Sequence, residues 1–244
     1  MILTKAACLT AATASYVLCL LPPKSSKSVD QKKNDKVVHE NWLRMVDVHK
    51  LPIAMASVGI LETVLYIVLM VRGPTVSNGI AVQRMRELET WHKVLTALCV
   101  AGYALRKWSF IALDRFFTYQ LTIRSGHKLI QSGPYTFLRH PSYTGAILSN
   151  VGFQMLVLPD GLWGAFVLML TKVLAVVTRS NSISLPTSFL GVDGGVWLTA
   201  AYGGMWVSML MTRVKNEEAA LQEHFGKEWD VYASKRWRFI PFIY

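Results

Sequence analysis

The stretch HKLIQSGPYTFLRHPSYTG, residues 127–145, is a polar island in an otherwise apolar chain. Its polar side chains include two imidazoles, one guanidinium and two phenols: His127, His140, Arg139, Tyr135 and Tyr143. The dipeptide Gly133-Pro134 predicts a turn in its middle. Pro141 favours the first turn of a helix, because a proline there loses no hydrogen bond. We therefore expect Arg139 and His140 to flank the positive end of a new helix, which attracts anions.

The composition of the chain indicates a membrane protein. Its 244 residues are 52% hydrophobic and 17% charged, whereas about a quarter of the residues in an ordinary soluble domain are charged. The basic residues behind the net charge of +11 lie in loops between apolar runs. This pattern follows the positive-inside rule, and we expect no nucleic-acid partner. Cys8, Cys19 and Cys99 lie in apolar segments without metal-ligand spacing, so no metal site is expected.

The N-terminal half contains three apolar segments long enough to cross a bilayer: 2–21, 51–71 and roughly 91–113. For the first segment a cleaved signal peptide is the alternative, which the further membrane segments disfavour. The Lys-rich loop 22–50 is expected in the cytosol, and two crossings then return the chain to the cytosolic side at the polar island. In the third segment, Arg106 and Lys107 predict either an early end near Leu105 or snorkelling to an interface.

Three further apolar runs follow the polar island: 144–158, 162–178 and 195–212. The basic tail after residue 212 is expected in the cytosol with the island, and three full crossings would put it on the wrong side. One of the three runs should therefore be re-entrant, interfacial or half of a broken span. Small residues are expected to allow close helix approach at Gly145 and, in the last run, at Ala200, Ala201, Gly203 and Gly204.

The tail sequence RVKNEEAALQEHFGKEW, residues 213–229, predicts a helix that Gly226 ends. Four residues at successive intervals of four fall on one face of this helix: Arg213, Glu217, Leu221 and Phe225. Glu218 is expected on another face. A carboxylate on a buried stripe needs a cation, so Arg213 is the expected partner of Glu217, either as a structural pair or as part of a site.

The aromatic residues beyond this helix favour a segment that lies on the membrane surface or closes over the polar island: Trp229, Tyr232, Trp237 and Phe239.

Two blocks of sequence together resemble the isoprenylcysteine carboxyl methyltransferase family of the endoplasmic reticulum membrane. The first block is Gln120 followed by HKLI, GPY and RHPSYTG of the polar island. The second is R-x-x-x-E-E-x-x-L-x-x-x-F-G-x-E-W-x-x-Y with a terminal IPFI. The resemblance covers roughly residues 104–244. RHPSY alone is shared with membrane phospholipid methyltransferases and some sterol reductases, so a phospholipid N-methyltransferase and a sterol reductase-like oxidoreductase remain alternatives.

The apolar spans and this resemblance imply an all-α fold, a polytopic integral membrane helical bundle whose cytosolic cofactor pocket is formed by a loop and the C-terminal helix. Residues 1–113 would form N-terminal transmembrane helices and loops, and residues 114–244 the methyltransferase core. The implied reaction is S-adenosylmethionine-dependent methylation of the C-terminal carboxylate of a prenylated cysteine, farnesyl or geranylgeranyl, in CaaX-type proteins. The implied location is the endoplasmic reticulum membrane, with the active site facing the cytosol.

The resemblance also implies roles for individual residues. The implied cofactor-binding residues are Gln120, His127, Lys128, Leu129, Ile130, Tyr135, Arg139, His140, Pro141, Ser142, Tyr143 and Glu217. Arg213 is implied to orient the substrate carboxylate, and Glu217 is implied to be the second catalytic residue. The chemistry is compatible with these residues, because a carboxylate is already ionised at neutral pH and needs no strong general base. Positioning and desolvation can supply most of the rate enhancement.

Overall fold

The computed structural model describes residues 2–21, 36–37, 50–71, 88–117, 122–123, 126–180 and 183–241. The chain is helical, which confirms the predicted fold class. Its α-helices are α1 (Ile2–Leu20), α2 (Lys50–Val71), α3 (Thr90–Leu113), α4 (Pro141–Val157), α5 (Trp163–Thr178), α6 (Gly194–Phe225) and α7 (Lys227–Ser234).

Three of these helices are long and apolar enough to cross a membrane: Leu3–Leu20, Lys50–Val68 and Thr90–Phe116. They correspond to the three N-terminal spans that the sequence predicts. Large apolar side chains such as Ile53, Ile60 and Ile111 point outwards and are more than half exposed. A lipid environment explains this exposure, because water would disfavour so much outward-facing apolar surface.

Helix α3 continues through Arg106, which neither ends the helix nor snorkels. The Arg106 side chain is buried. Its Nε donates a hydrogen bond to the carbonyl oxygen of Cys19 at 2.7 Å, and its Nη1 donates to the hydroxyl of Ser142 at 2.9 Å. Both sequence-based alternatives for Arg106 are therefore wrong. The guanidinium turns inwards because it satisfies a carbonyl in the last turn of α1, where intrahelical partners are missing.

The first two apolar runs after the polar island form one helical path. Helix α4 leads into a π-helical segment, Leu158–Leu162, which leads directly into α5. Pro159 lies in this segment and removes one backbone donor. Which of the runs crosses the membrane stays a prediction. One crossing by this path and one by α6 would return the tail to the side of the polar island.

Two short antiparallel pairs accompany the helices. Strand β1 (Lys36–Val37) pairs with β2 (Thr122–Ile123), with Lys36 opposite Ile123. Strand β3 (Ser188–Phe189) pairs with β4 (Val192–Asp193). Leu190 and Gly191 join β3 to β4 with positive φ angles of 53° and 76°, as a two-residue hairpin turn requires.

The chain divides into two compact units. One consists of Met1–Tyr16, Ala54–Val100 and Ser149–Met205, the other of Val17–Ile53, Ala101–Leu148 and Trp206–Tyr244. In the first, Tyr16 stacks on Phe153 with ring centroids 4.7 Å apart and accepts a hydrogen bond from the side-chain amide of Asn150. The second contains the polar island and the tail. The predicted division into residues 1–113 and 114–244 was based on where the motifs lie in the sequence, and it stays a prediction.

Close helix approach is confirmed at Gly145, where an added Cβ would lie 2.5 Å from the Gly102 carbonyl oxygen and 2.8 Å from the Arg106 nitrogen. The same expectation is wrong for Gly203 and Gly204, whose added Cβ atoms meet nothing within 4 Å. We therefore expect Gly145→Ala to destabilise the protein by roughly 1–3 kcal/mol through overpacking. Thermal unfolding in detergent measures the effect. Gly203→Ala is the matched control, and an equal loss in both variants would contradict the prediction.

Candidate active site

The polar island contains the turn and the helix start that its sequence predicts. A 3-10 turn spans Gly133–Thr136, and Gly133 begins it with a φ of 61°. Helix α4 then begins at Pro141. The carbonyl oxygen of His140 accepts hydrogen bonds from the backbone nitrogens of Tyr143 and Thr144, both at 3.1 Å. His140 therefore lies at the amino end of this helix, as expected.

The C-terminal segment closes over the polar island. The backbone nitrogen of Arg139 donates to the Trp237 carbonyl oxygen at 2.8 Å, and the Trp237 nitrogen donates to the Phe137 carbonyl oxygen at 3.3 Å. The Thr144 hydroxyl donates to the carbonyl oxygen of Phe239 at 2.9 Å. These bonds tie the start of α4 to the tail, which supports the second of the two roles predicted for the tail aromatics.

Helix α7 holds the turn of the polar island. The Tyr232 hydroxyl and the Arg236 Nε both donate to the carbonyl oxygen of Tyr135, at 3.1 Å each. The Arg236 guanidinium also lies 4.3 Å from the centre of the Tyr232 ring. Burial raises the pKa of Tyr232 to about 12, against the opposing charges of Arg236 and Arg139. The phenol therefore remains a donor at neutral pH.

Tyr143 joins the two residues that the sequence pairs directly. The Nε of Arg213 donates to the Tyr143 hydroxyl at 2.6 Å, and that hydroxyl donates to Glu217 Oε2 at 2.6 Å. Arg213 is buried, whereas 27% of the Glu217 side chain is exposed. The predicted functional grouping of Arg213 and Glu217 therefore includes a phenol between them, and the Glu217 carboxylate can be reached by a ligand.

His140 lies between two carboxylates. Its Nδ1 is 3.8 Å from Glu217 Oε1, and its Nε2 is 3.0 Å from Glu218 Oε1. The ring is buried, with Tyr143 and Phe239 as aromatic neighbours at 5.7 and 5.8 Å between centroids. Glu218 thus supplies an anion to the His140 ring from within the protein.

Glu218 is bound by three side chains. Besides His140, Arg139 Nη1 lies 3.1 Å from Oε1, while Arg238 donates to Oε1 at 3.1 Å and to Oε2 at 2.6 Å. Glu218 leaves α6 on another face than Glu217, as expected, but its partners still bring it into the same site. Adjacent helical residues are about 100° apart, so a site that wraps around the helix can bind both carboxylates.

The ion cluster lowers the pKa of Glu218 to about 2. Burial alone would raise it, but hydrogen bonds from His140 and Arg238 and the charges of His140 and Arg139 outweigh burial. A depressed folded-state pKa stabilises the protein above the ordinary value of 4.5, and this contribution is lost as the pH falls from 4.5 towards 2.

We therefore expect acid to destabilise the wild type more than Glu218→Gln. The difference between the free energies of unfolding at pH 6 and pH 2.5 should be larger in the wild type by on the order of 2–3 kcal/mol. Tryptophan fluorescence during denaturant unfolding in detergent measures it. Identical pH profiles for the two proteins would contradict the assigned pKa.

The remaining predicted site residues lie in other surroundings. Ser142 binds Arg106 through its hydroxyl, and Pro141 is buried at the start of α4. His127 packs against Phe116 and Phe225, with centroid distances of 5.0 and 5.8 Å. The next three residues belong to no helix or strand, and the first is exposed whereas the others are half-buried: Lys128, Leu129 and Ile130. Gln120 lies outside the described residues.

Comparison with known proteins identifies the family that this site resembles. Residues 95–182 match the model of the isoprenylcysteine carboxyl methyltransferase (ICMT) family. The resemblance to that family is confirmed. The matched residues include the polar island, whereas Arg213, Glu217 and Glu218 lie beyond them. No solved structure matches the chain.

Curated relatives agree with this match. Protein-S-isoprenylcysteine O-methyltransferase B of Arabidopsis thaliana is 26% identical over 148 residues, which is 60% of this chain and 57% of the relative. The protein of the same name from Dictyostelium discoideum is 26% identical over 151 residues, covering 61% of this chain and 48% of the relative. A Delta(14)-sterol reductase of Gibberella zeae is 28% identical over 130 residues, covering 52% and 26%. The chain thus spans less than two thirds of these relatives.

Proposed function

We propose that this protein transfers the methyl group of S-adenosylmethionine to the C-terminal carboxylate of a prenylated cysteine. The substrates would be CaaX-type proteins at the endoplasmic reticulum membrane, and the site would face the cytosol. One observation carries the proposal: Arg213 and Glu217 meet the same Tyr143 hydroxyl, beside His140 at the start of α4. An anion-binding group and a cation-binding group thus lie together in the chain that resembles the ICMT family.

The residues of the site are compatible with this cofactor. When bound, S-adenosylmethionine supplies an electrophilic methyl group on a positively charged sulfur. Glu217 is partly exposed and accepts one hydrogen bond from Tyr143 at Oε2, so its carboxylate can also accept hydrogen bonds from the ammonium group of the donor. The amino end of α4 can receive polar or anionic parts of the same molecule, while the His140 ring faces the carboxylates of Glu217 and Glu218.

Arg213 supplies the recognition of the acceptor. A guanidinium binds a carboxylate through two parallel hydrogen bonds, and its burial here strengthens the attraction. The acceptor carboxylate is ionised at neutral pH, so the site has no proton to remove. Holding the carboxylate in line and excluding water are therefore the main tasks of these residues.

Two alternatives make different demands on the same residues. A phospholipid N-methyltransferase must remove a proton from an amine and has no use for a buried guanidinium at the acceptor. A sterol reductase-like oxidoreductase, which the Gibberella zeae relative favours, would use a nicotinamide cofactor. Purified protein assayed with labelled S-adenosylmethionine and two acceptors, a prenylcysteine and phosphatidylethanolamine, and separately with a reduced nicotinamide cofactor and an unsaturated sterol, distinguishes them. Label in prenylcysteine alone supports the proposal, and label in phosphatidylethanolamine alone would replace it.

Donor binding is expected to depend on Glu217. The substitution Glu217→Gln removes the charge but keeps the shape, and one lost charge-assisted hydrogen bond of about 1.5–3 kcal/mol weakens binding roughly tenfold to a hundredfold. Calorimetric titration of S-adenosylmethionine in detergent measures the change. Glu228→Gln, an exposed carboxyl group on α7, is the control. Unchanged affinity in Glu217→Gln would exclude Glu217 from the donor site.

A further inference from the structure

A groove lies between the end of α1 and the last turns of α3. It encloses about 300 Å³. Its walls are mostly apolar, and Arg106 and Lys107 add two cations; the apolar lining includes Leu18, Leu21, Phe110 and Ile111. All of these residues belong to one compact unit. The groove therefore combines space for a hydrocarbon chain with positive charge.

The groove has an open wall of exposed apolar side chains. Leu18 and Ile111 are 45% and 66% exposed, and both belong to helices long and apolar enough to cross a bilayer. Leu18 lies in the last turn of α1, and Ile111 lies in the last turn of α3. The open wall is thus at span ends, where the hydrocarbon core gives way to the head groups.

The cations differ in what they can contact. Arg106 is held inwards by Cys19 and Ser142, so it contributes charge from a fixed position. Lys107 is exposed, and its Nζ lies 5.9 Å from the centre of the Tyr103 ring. A lysine and a tyrosine at the end of a span are characteristic of the head-group layer. Basic pockets between membrane helices at this level bind anionic lipid head groups.

We propose that this groove binds one anionic phospholipid of the surrounding bilayer. Its phosphate lies against Lys107, in the field of Arg106, and an acyl chain lies along the apolar wall. A phospholipid satisfies both features of the groove, because it carries a hydrocarbon chain and a negative charge at the depth where the span ends. In the proposed methyl-transfer reaction, the acceptor carboxylate is bound by Arg213, which lies on a different helix. The lipid site therefore does not depend on the proposed reaction.

Native mass spectrometry of the full-length protein, released from detergent after titration with lipid, tests the proposal. Phosphatidylserine and phosphatidylcholine of identical acyl chains are compared. We expect one phosphatidylserine to bind with at least about fivefold preference, since one nearby lysine is worth about 1 kcal/mol. Lys107→Glu should abolish this preference, and Lys107→Ala should reduce it. Lys93→Glu is the control, because Lys93 is exposed near the other end of the same helix and changes the net charge equally.

Three outcomes would overturn the proposal. The first is equal binding of the two lipids by the wild type, and the second is an equal loss in Lys93→Glu and Lys107→Glu. The third is displacement of phosphatidylserine by N-acetyl-S-farnesylcysteine with no displacement by a second anionic phospholipid, which would assign the groove to the acceptor. Each readout is a bound mass, so an inactive protein does not affect the result.

Discussion

Replacing Glu218 with alanine is expected to destabilise the protein by on the order of 2–4 kcal/mol, because a partner is lost from a largely buried ion cluster. Arg139, His140 and Arg238 would then lie together without the carboxylate that binds all three. Two guanidinium groups that share a site without a counter-charge repel each other. The midpoint of thermal unfolding in detergent should fall by roughly 5–15 °C.

The matched control is Glu228→Ala, which removes an exposed carboxylate from the first turn of α7. Its midpoint should change by at most about half as much, since an exposed charge in a first helical turn contributes only about 0.3–1 kcal/mol. Glu218→Gln should lie between the two, because it keeps an acceptor but loses the charge. Equal, small shifts in all three variants would show that the cluster contributes nothing to stability.

Much of the fold could be predicted from local sequence patterns. The three N-terminal spans follow from the length and apolarity of their runs, and the structure has helices at each of them. The turn at Gly133 and the start of α4 at Pro141 follow from backbone constraints that act within a few residues. The same holds for Gly226, which ends α6 with a φ of 54°.

The orientation of Arg106 could not be predicted in this way. Composition assigns a cation near the end of an apolar run to the interface, because its charge is costly inside. The buried position depends on the carbonyl oxygen of Cys19 and the hydroxyl of Ser142. These partners are 87 and 36 residues away in sequence, so periodicity within α3 carries no information about them.

The role of Glu218 was missed for a related reason. Helical periodicity in α6 selects a single stripe through Arg213 and Glu217, and Glu218 falls outside it. Three groups from other segments bring it into the site: Arg139 and His140 from the polar island, and Arg238 from the end of the chain. The available signal was the adjacent pair of carboxylates in the second sequence block. An argument from a single helix placed Glu218 on another face and gave it no partner.

The direct pairing of Arg213 with Glu217 is also incomplete for a non-local reason. A spacing of four brings the two side chains to one face of α6, and this part is correct. Tyr143 donates to Glu217 and accepts from Arg213 because α4 starts next to that face. The Tyr143 phenol is a hydrogen-bond partner of both Arg213 and Glu217. Any test of Arg213 must therefore separate the effect of Arg213 on Tyr143 from its effect on a substrate.

Arg213→Lys is expected to lower kcat/KM for N-acetyl-S-farnesylcysteine by roughly tenfold to a thousandfold. Lysine keeps the charge but cannot form the planar, two-pronged contact with a carboxylate, and a loss of about 1.5–4 kcal/mol corresponds to this range. The affinity for S-adenosylmethionine should change less than about threefold, because its proposed contact is with Glu217. Methyl transfer and calorimetric titration in detergent measure the two quantities. The prediction rests on the proposed function.

Tyr143→Phe is the control that separates the two roles of Arg213. It removes the hydroxyl between Arg213 and Glu217 but keeps the guanidinium. If Arg213 orients the acceptor, the lysine variant should lose methyl transfer to the acid and show little further loss with the prenylcysteine amide, which already binds poorly to the wild type. If Arg213 acts only through Tyr143 on Glu217, the two variants should lose donor affinity equally. That result would make Arg213 a structural partner of Glu217, because the acceptor carboxylate would then have no part in the loss.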